Sequence, residues 1–202
     1  MPKIVADFTI EIAPSLSASA SISCASFPQP AAGYRFKILS MATTLSNEEV
    51  RQEVAHCAQA ATSARDLMAR IVRVLHECML KYNWVGFYMI EKKSDEAPIL
   101  VLGEFEGAMT PHTRIQLNVG ICGAAASSGK TVVVDDVTQD SRYLACSLET
   151  KSEIVVPVFV HGQVVGELDI DSHFAAAFKT EDRALVEFCA TLVGQYLEKH
   201  PA

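Results

Sequence analysis

Thiols and carboxylates are the side chains with chemistry to offer in this 202-residue chain. Asp169 and Asp171 stand two apart in apolar, β-branched text, and Glu153 enters a second apolar run. Residues two apart in an extended strand project to the same face, so the two aspartates share a wall that Glu153 can join from a neighbouring strand. Three carboxylates on one wall would bind an ammonium group, and their mutual repulsion would raise at least one pKa enough to make a proton donor. Trp84 and Tyr88, in an aromatic segment, are ordinary core residues or the lining of a ligand site. Of six cysteines, Cys122 is the best placed by local sequence. It lies between Gly120 and Gly123 at the start of an Ala-rich helix, where a helix N-terminus lowers a thiol pKa. Cys57, Cys78 and Cys189 fall on apolar helical faces and read as small hydrophobes. No CxxC pair, HExxH motif or Cys/His cluster has metal-ligand spacing, so no metal is expected. Gly129-Lys130-Thr131 imitates the end of a phosphate loop, but Ala124 occupies the position of the loop's first glycine and the segment reads as a turn.

The elements that must position these groups follow from periodicity. Ser46-Asn47-Glu48-Glu49 is a capping-box signature. Val50, Val54, Cys57 and Ala61, then Leu67, Ile71, Val74, Leu75 and Cys78, continue at helical spacing as two helices or one broken helix. Strand text runs over 84–90 and 99–102, which suggests a hairpin, and again over 115–117, 131–134, 153–160 and 164–170, with a His161-Gly162 turn between the last two. A short helix is expected over 123–128. A C-terminal helix is expected from Thr180, with an apolar stripe of Leu185, Phe188, Leu192, Val193 and Tyr196. Helices at both ends of a run of six strands predict an α+β fold with a mostly antiparallel sheet.

Composition narrows the function. Seventeen Lys+Arg against twenty-four Asp+Glu give a net charge of −7, without a basic run to follow a phosphate backbone or an anionic membrane surface. Nucleic acid and membranes are therefore not expected as partners. No apolar run is long enough to span a bilayer. Scattered cysteines in a chain this long and apolar suit a reducing compartment, with the cytoplasm as the expected location. Residues 1–45, Ser/Ala-rich and followed by Phe27-Pro28-Gln29-Pro30, read as a disordered arm without signal-peptide layout, and Met41 is an alternative start of translation. Residues 46–198 form one expected domain and 199–202 a tail.

Several of these segments together resemble a known family. Asn83-Trp84-Val85-Gly86-Phe87-Tyr88, Gly120-Ile121-Cys122-Gly123-Ala124-Ala125-Ala126, Ala145-Cys146, Lys151-Ser152-Glu153-Ile154-Val155-Val156-Pro157 and Leu168-Asp169-Ile170-Asp171-Ser172 resemble the GAF-domain free methionine-R-sulfoxide reductases across 46–198. The resemblance implies a GAF fold and a cytosolic, usually homodimeric enzyme. Its activity would be reduction of the R epimer of free methionine sulfoxide without a bound cofactor, with NADPH-derived electrons from a transiently docked thioredoxin-type protein. It implies Cys146 as the nucleophile, Trp84 and Tyr88 as the aromatic wall at the methyl-sulfoxide end, and Glu153, Asp169 and Asp171 as substrate-binding carboxylates. The family's resolving cysteine has no counterpart in 108–114, where Pro111 or His112 stands instead, and Cys122 is the candidate resolver in its place. In such a cycle the thiolate attacks sulfur, the departing oxygen takes a proton, and the resulting sulfenic acid is reduced. The acidic wall would also disfavour a free thiolate at Cys146 before substrate binds. Two other readings stay open: a GAF module that binds a small ligand without turnover, and a thiol redox sensor using Cys122 and Cys146.

Overall fold

The structure, a computed structural model, describes residues 45–145 and 147–201. The expected arm, with Met41 and Cys24, and the expected nucleophile Cys146 lie outside the described residues apart from Leu45. Among the described residues the elements run in the order α1 (Asn47–Ala60), α2 (Ala64–Cys78), β1 (Trp84–Glu91), β2 (Ile99–Glu106), β3 (Arg114–Gln116), α3 (Gly120–Ser128), β4 (Val132–Val134), a 3₁₀ turn (Val137–Gln139), β5 (Ser152–Val160), β6 (Gln163–Ser172) and α4 (Thr180–Lys199). The strands form one six-stranded sheet in the order β3-β2-β1-β6-β5-β4, with every neighbouring pair antiparallel.

Local chemistry explains where the helices begin. The Ser46 hydroxyl accepts the Glu49 amide at 3.3 Å, while the Glu49 carboxylate accepts the Ser46 amide at 2.8 Å, so two otherwise orphaned donors at the start of α1 are satisfied. Ser63 caps α2 through the Asp66 amide. The break between α1 and α2 therefore resolves the sequence ambiguity in favour of two helices. Expectation and structure differ for α3, which starts at Gly120 rather than at 123. Gly120 enters the helix at φ 75°, a conformation that a side chain disfavours, and this earlier start places Cys122 inside the first turn. The β5–β6 hairpin closes through His161 and Gly162 at φ 48° and 74°, the doubly left-handed pair that matches the twist of a two-residue hairpin.

Alternation along the three central strands divides the molecule in two. Val85 and Phe87 of β1, Ile154, Val156 and Val158 of β5, and Leu168 and Ile170 of β6 face α1, α2 and α4, where they join Val50, Val54, Leu67, Ile71, Leu75, Leu185 and Val193 in the main core. Cys57 and Cys189 are buried in that core as small apolar groups, and Cys78 packs at its edge. The α4 stripe is rotated from its expected position: Val186, Cys189, Ala190 and Gly194 are buried with Leu185 and Val193, whereas Phe188, Leu192 and Tyr196 lie at the margin. The α4 backbone approaches β5 so closely that a Cβ on Gly194 would meet the Phe159 carbonyl oxygen at 2.2 Å, so a small residue is required there and turns the buried face toward it. Among the described residues no helix is long and apolar enough to cross a membrane.

Candidate functional site

The opposite sheet face carries the alternate residues of the same strands. Trp84, Gly86 and Tyr88 come from β1, Glu167, Asp169 and Asp171 from β6, and Glu153 and Val155 from β5. Register sets their neighbours: Asp171 lies between Trp84 and Glu153, Asp169 between Gly86 and Val155, and Glu167 between Tyr88 and Pro157. The carboxyls are therefore stacked along one side of an aromatic strand. Gly86 makes the arrangement possible, because a Cβ there would meet the Trp84 ring at 2.2 Å. The indole folds over this gap, with its ring centroid 6.1 Å from that of Tyr88 and 5.9 Å from that of Phe105.

A loop covers the rings. Trp84 Nε1 donates to the Ala108 carbonyl at 3.0 Å and the Tyr88 hydroxyl donates to the His112 carbonyl at 2.8 Å, so the two aromatic residues fix both ends of residues 108–112. Gly107, at φ 122°, starts that loop where a Cβ would strike the indole at 2.7 Å. The His112 Nε2 then lies 3.2 Å from the carbonyl oxygen of Ala145, the residue before Cys146. Thus the loop that lacks the family's second cysteine is tied to the segment that carries the expected nucleophile. His161 sits in the β5–β6 turn and His173 beyond β6, where its amide donates to Asn83 Oδ1 at 2.8 Å.

Helix α3 closes the acidic side. Its first turn puts Cys122 Sγ 3.3 Å from Asp169 Oδ2 and 3.9 Å from Glu153 Oε1. A narrow cavity at this point is lined by Ile115, Gly120, Ile121, Cys122, Leu144 and Glu153. Glu153, Glu167, Asp169 and Asp171 are all at least 96% buried. Asp169 Oδ1 and Asp171 Oδ1 are buried without a hydrogen-bond partner. Arg142 feels the Glu153 charge, but its guanidinium is held by Asp140 at 2.6 and 2.9 Å.

Burial without compensation makes ionisation costly, so these groups keep their protons to higher pH. Burial pushes Asp169 up to about 7, opposed by the hydrogen bond from the Cys122 thiol. Glu153 is raised well above the ordinary carboxyl range by burial and then by the charges of Asp169 and Asp171. Glu167 is raised by burial and by Asp169, opposed by the Cys122 thiol, and Asp171 is raised by burial and by Asp169. Chemically, the wall is a store of protons beside a thiol, able to take up a cationic group when it ionises.

Of the residues singled out in the sequence, Trp84, Tyr88, Cys122, Glu153, Asp169 and Asp171 are brought together, and Cys146 lies outside the described residues. Glu167 takes no role from the sequence, and His112 only the place where the family's resolving cysteine is expected. For Glu167 a signal was present, since it continues the two-residue alternation of Asp169 and Asp171. For His112 nothing in the local sequence indicates its reach to Ala145. The Cys122, Glu153 and Asp169 ligand atoms lie within 4.8 Å of one another, a grouping able to hold a metal ion that sequence spacing does not reveal.

Residues 63–197 match the GAF domain family. Free methionine-R-sulfoxide reductase of Escherichia coli is 36% identical over 120-odd residues, 121 in all, covering 60% of this chain and 70% of that protein. This chain belongs to the GAF family, among the free methionine-R-sulfoxide reductases. The GAF domain also resembles the substrate-bound Neisseria meningitidis free methionine-R-sulfoxide reductase, with a TM-score of 0.70, 34% identity, and coverage of 82% of this chain and 95% of that one. The type II free methionine-R-sulfoxide reductase of Thermoplasma acidophilum gives a TM-score of 0.62 at 40% identity, covering 67% of this chain and 93% of that one.

Proposed function

We propose that this GAF protein reduces free methionine-R-sulfoxide to methionine with Cys146 as the nucleophile. The observation that carries the reading is the buried carboxyl row of Glu153, Asp169 and Asp171 beside Trp84 and Tyr88, because it supplies both halves of what this substrate needs. An ionised carboxylate in the row receives the α-ammonium. A carboxyl held protonated at neutral pH by burial gives its proton to the departing sulfoxide oxygen. The aromatic rings pack against the methyl-sulfur end. The Cys146 sulfur forms a bond to the protonated sulfoxide sulfur, and the S–O bond breaks with the oxygen leaving as water; a water then attacks the cysteine sulfur, the S–S bond breaks, and the cysteine is left as a sulfenic acid. The substrate leaves as the thioether, so the substrate gains the electron pair that the thiol loses.

The sulfenic acid is then condensed with a second thiol, releasing water, and the disulfide is reduced by a thioredoxin-type dithiol supplied with NADPH-derived electrons. Cys122 is the internal candidate for that thiol, since it already lies within the carboxyl row. The protein acts without a bound cofactor as a cytoplasmic homodimer in this reading. A binding module without turnover is the second reading, favoured by the absence of a cysteine from residues 108–114.

Methionine formation from the free R-sulfoxide, followed with thioredoxin and with dithiothreitol alone, tests both. Cys146→Ser should lower turnover by at least about 10³-fold with either reductant, as expected for removal of a nucleophile. Cys122→Ser should lose turnover with thioredoxin and keep it with dithiothreitol if Cys122 resolves. Absence of turnover in the unmodified protein, together with a melting temperature raised by the sulfoxide, would establish the binding module instead.

A further inference from the structure

We propose that Cys122, Glu153 and Asp169 form a site for a thiophilic divalent cation of the zinc class, whose occupancy excludes substrate. The three ligand atoms lie within 4.8 Å of one another and all three residues are buried. Tetrahedral zinc, with about 2.3 Å to sulfur and about 2.0–2.2 Å to carboxylate oxygen, sets sulfur and oxygen roughly 3.5 Å apart. The Cys122 Sγ to Asp169 Oδ2 and Glu153 Oε1 separations of 3.3 and 3.9 Å straddle that value. Small side-chain rotations within an already assembled corner would complete the geometry.

Unsatisfied oxygens around the corner supply an independent argument. Asp169 Oδ1 and Asp171 Oδ1 are buried without a hydrogen-bond partner. A cation with three protein ligands retains a water in its fourth position, and such a water donates two hydrogen bonds that these oxygens are equipped to accept. Binding exchanges the thiol proton for the metal–sulfur bond, and that proton is released to the buffer. Thiolate sulfur selects zinc, cobalt or cadmium over magnesium and calcium, which favour oxygen donors.

The metal site stands on this geometry, whereas the exclusion of substrate rests on the reductase reading, because the same carboxyls would hold the substrate ammonium. Zinc would therefore act as an inhibitor competitive with methionine sulfoxide and would also withhold Cys122 from disulfide formation.

Cobalt(II) titration of the reduced, metal-free full-length protein tests the site without using activity. The expected result is a near-ultraviolet sulfur-to-cobalt charge-transfer band at one equivalent, displaced by zinc and unaffected by excess magnesium. Cys122→Ser should abolish the band and weaken zinc binding at least tenfold, and Glu153→Gln should weaken it while leaving the thiolate band. Cys146→Ser should bind as the parent does. Circular dichroism establishes that each variant is folded. Should Cys122→Ser not fold, the contrast between Glu153→Gln and Cys146→Ser still decides. No band in the parent protein, or a band lost in Cys146→Ser and retained in Cys122→Ser, would overturn the proposal. Metal binding that methionine sulfoxide fails to displace would leave the site standing and count against the substrate cage instead.

Discussion

The two faces of the central sheet are built from alternate residues of the same three strands, yet they solve opposite problems. Toward α1, α2 and α4, the β6 residues Leu168 and Ile170 enter an apolar core whose buried polar pair, Tyr82 and Asp182, is hydrogen-bonded. Toward α3 and the 108–112 loop, Glu167, Asp169 and Asp171 are buried just as deeply, and the two aspartates leave oxygens without partners. The first face lowers free energy by removing apolar surface from water. The second also buries Tyr88, Leu100, Ile121 and Val155, but offsets part of that gain by desolvating ionisable groups. The contrast teaches that the helix-packed face carries the stability and supports the strained chemistry on the other side, with only the two-residue strand period separating them.

The strongest test exchanges one neighbour for another. Leu168→Ala should cost about 2–5 kcal/mol by the transfer and cavity terms of a buried leucine, read as a lowered urea midpoint with KM little changed in the folded fraction. Asp169→Asn should do the reverse. Its urea midpoint at pH 8 should hold or rise, because a buried charge is removed, while kcat/KM for methionine sulfoxide falls by about 30-fold or more as the ammonium loses a charged partner. Equal losses of stability in both variants would break the contrast.

The pH dependence sharpens it. Asp169 has its folded pKa raised from the ordinary 3.8 to about 7. Between those values the folded protein binds more protons than the unfolded chain, so the Asp169 contribution to stability is complete below pH 3.8 and is lost as pH rises through about 7. Denaturation midpoints measured across that window should fall with rising pH in the parent and fall less in Asp169→Asn. An unchanged slope in the variant would place the titration elsewhere.

A smaller effect is expected from Gly86→Ala. The new Cβ would collide with the indole, so overpacking should cost about 1–3 kcal/mol. The chain contains one tryptophan, and its fluorescence should shift to the red as Trp84 leaves the gap, with KM raised. The smallest effect belongs to the other side of the sheet. Ser46→Ala removes the α1 cap and should cost about 1 kcal/mol, with no change in KM or in tryptophan emission.

Local residue types made much of this legible. The capping box at Ser46, the His161-Gly162 turn and the alternation through β1, β5 and β6 each depend on neighbours within a few positions, and all are present as read. The same alternation put Asp169 and Asp171 on one face, but Glu167, next to Gly166 near the hairpin, looks in sequence like a solvated strand position. Its burial depends on α3 lying over the sheet, and no local period reports that cover. The α4 stripe packs on the core as expected, but its most buried line is shifted for a related reason, since the close approach of Gly194 to Phe159 selects which helical face turns furthest inward.

By itself, then, the sequence determined the elements, the strand parity and the identity of the groups that would share a wall, because helix capping, turn conformation and side-chain alternation act over a few residues. Only the tertiary structure decided that Cys122 meets an aspartate 47 positions away, that His112 reaches Ala145, and that the carboxyls lose water and hold their protons. Solvent exclusion and long-range distance arise from how distant segments pack together, and a pKa responds to both.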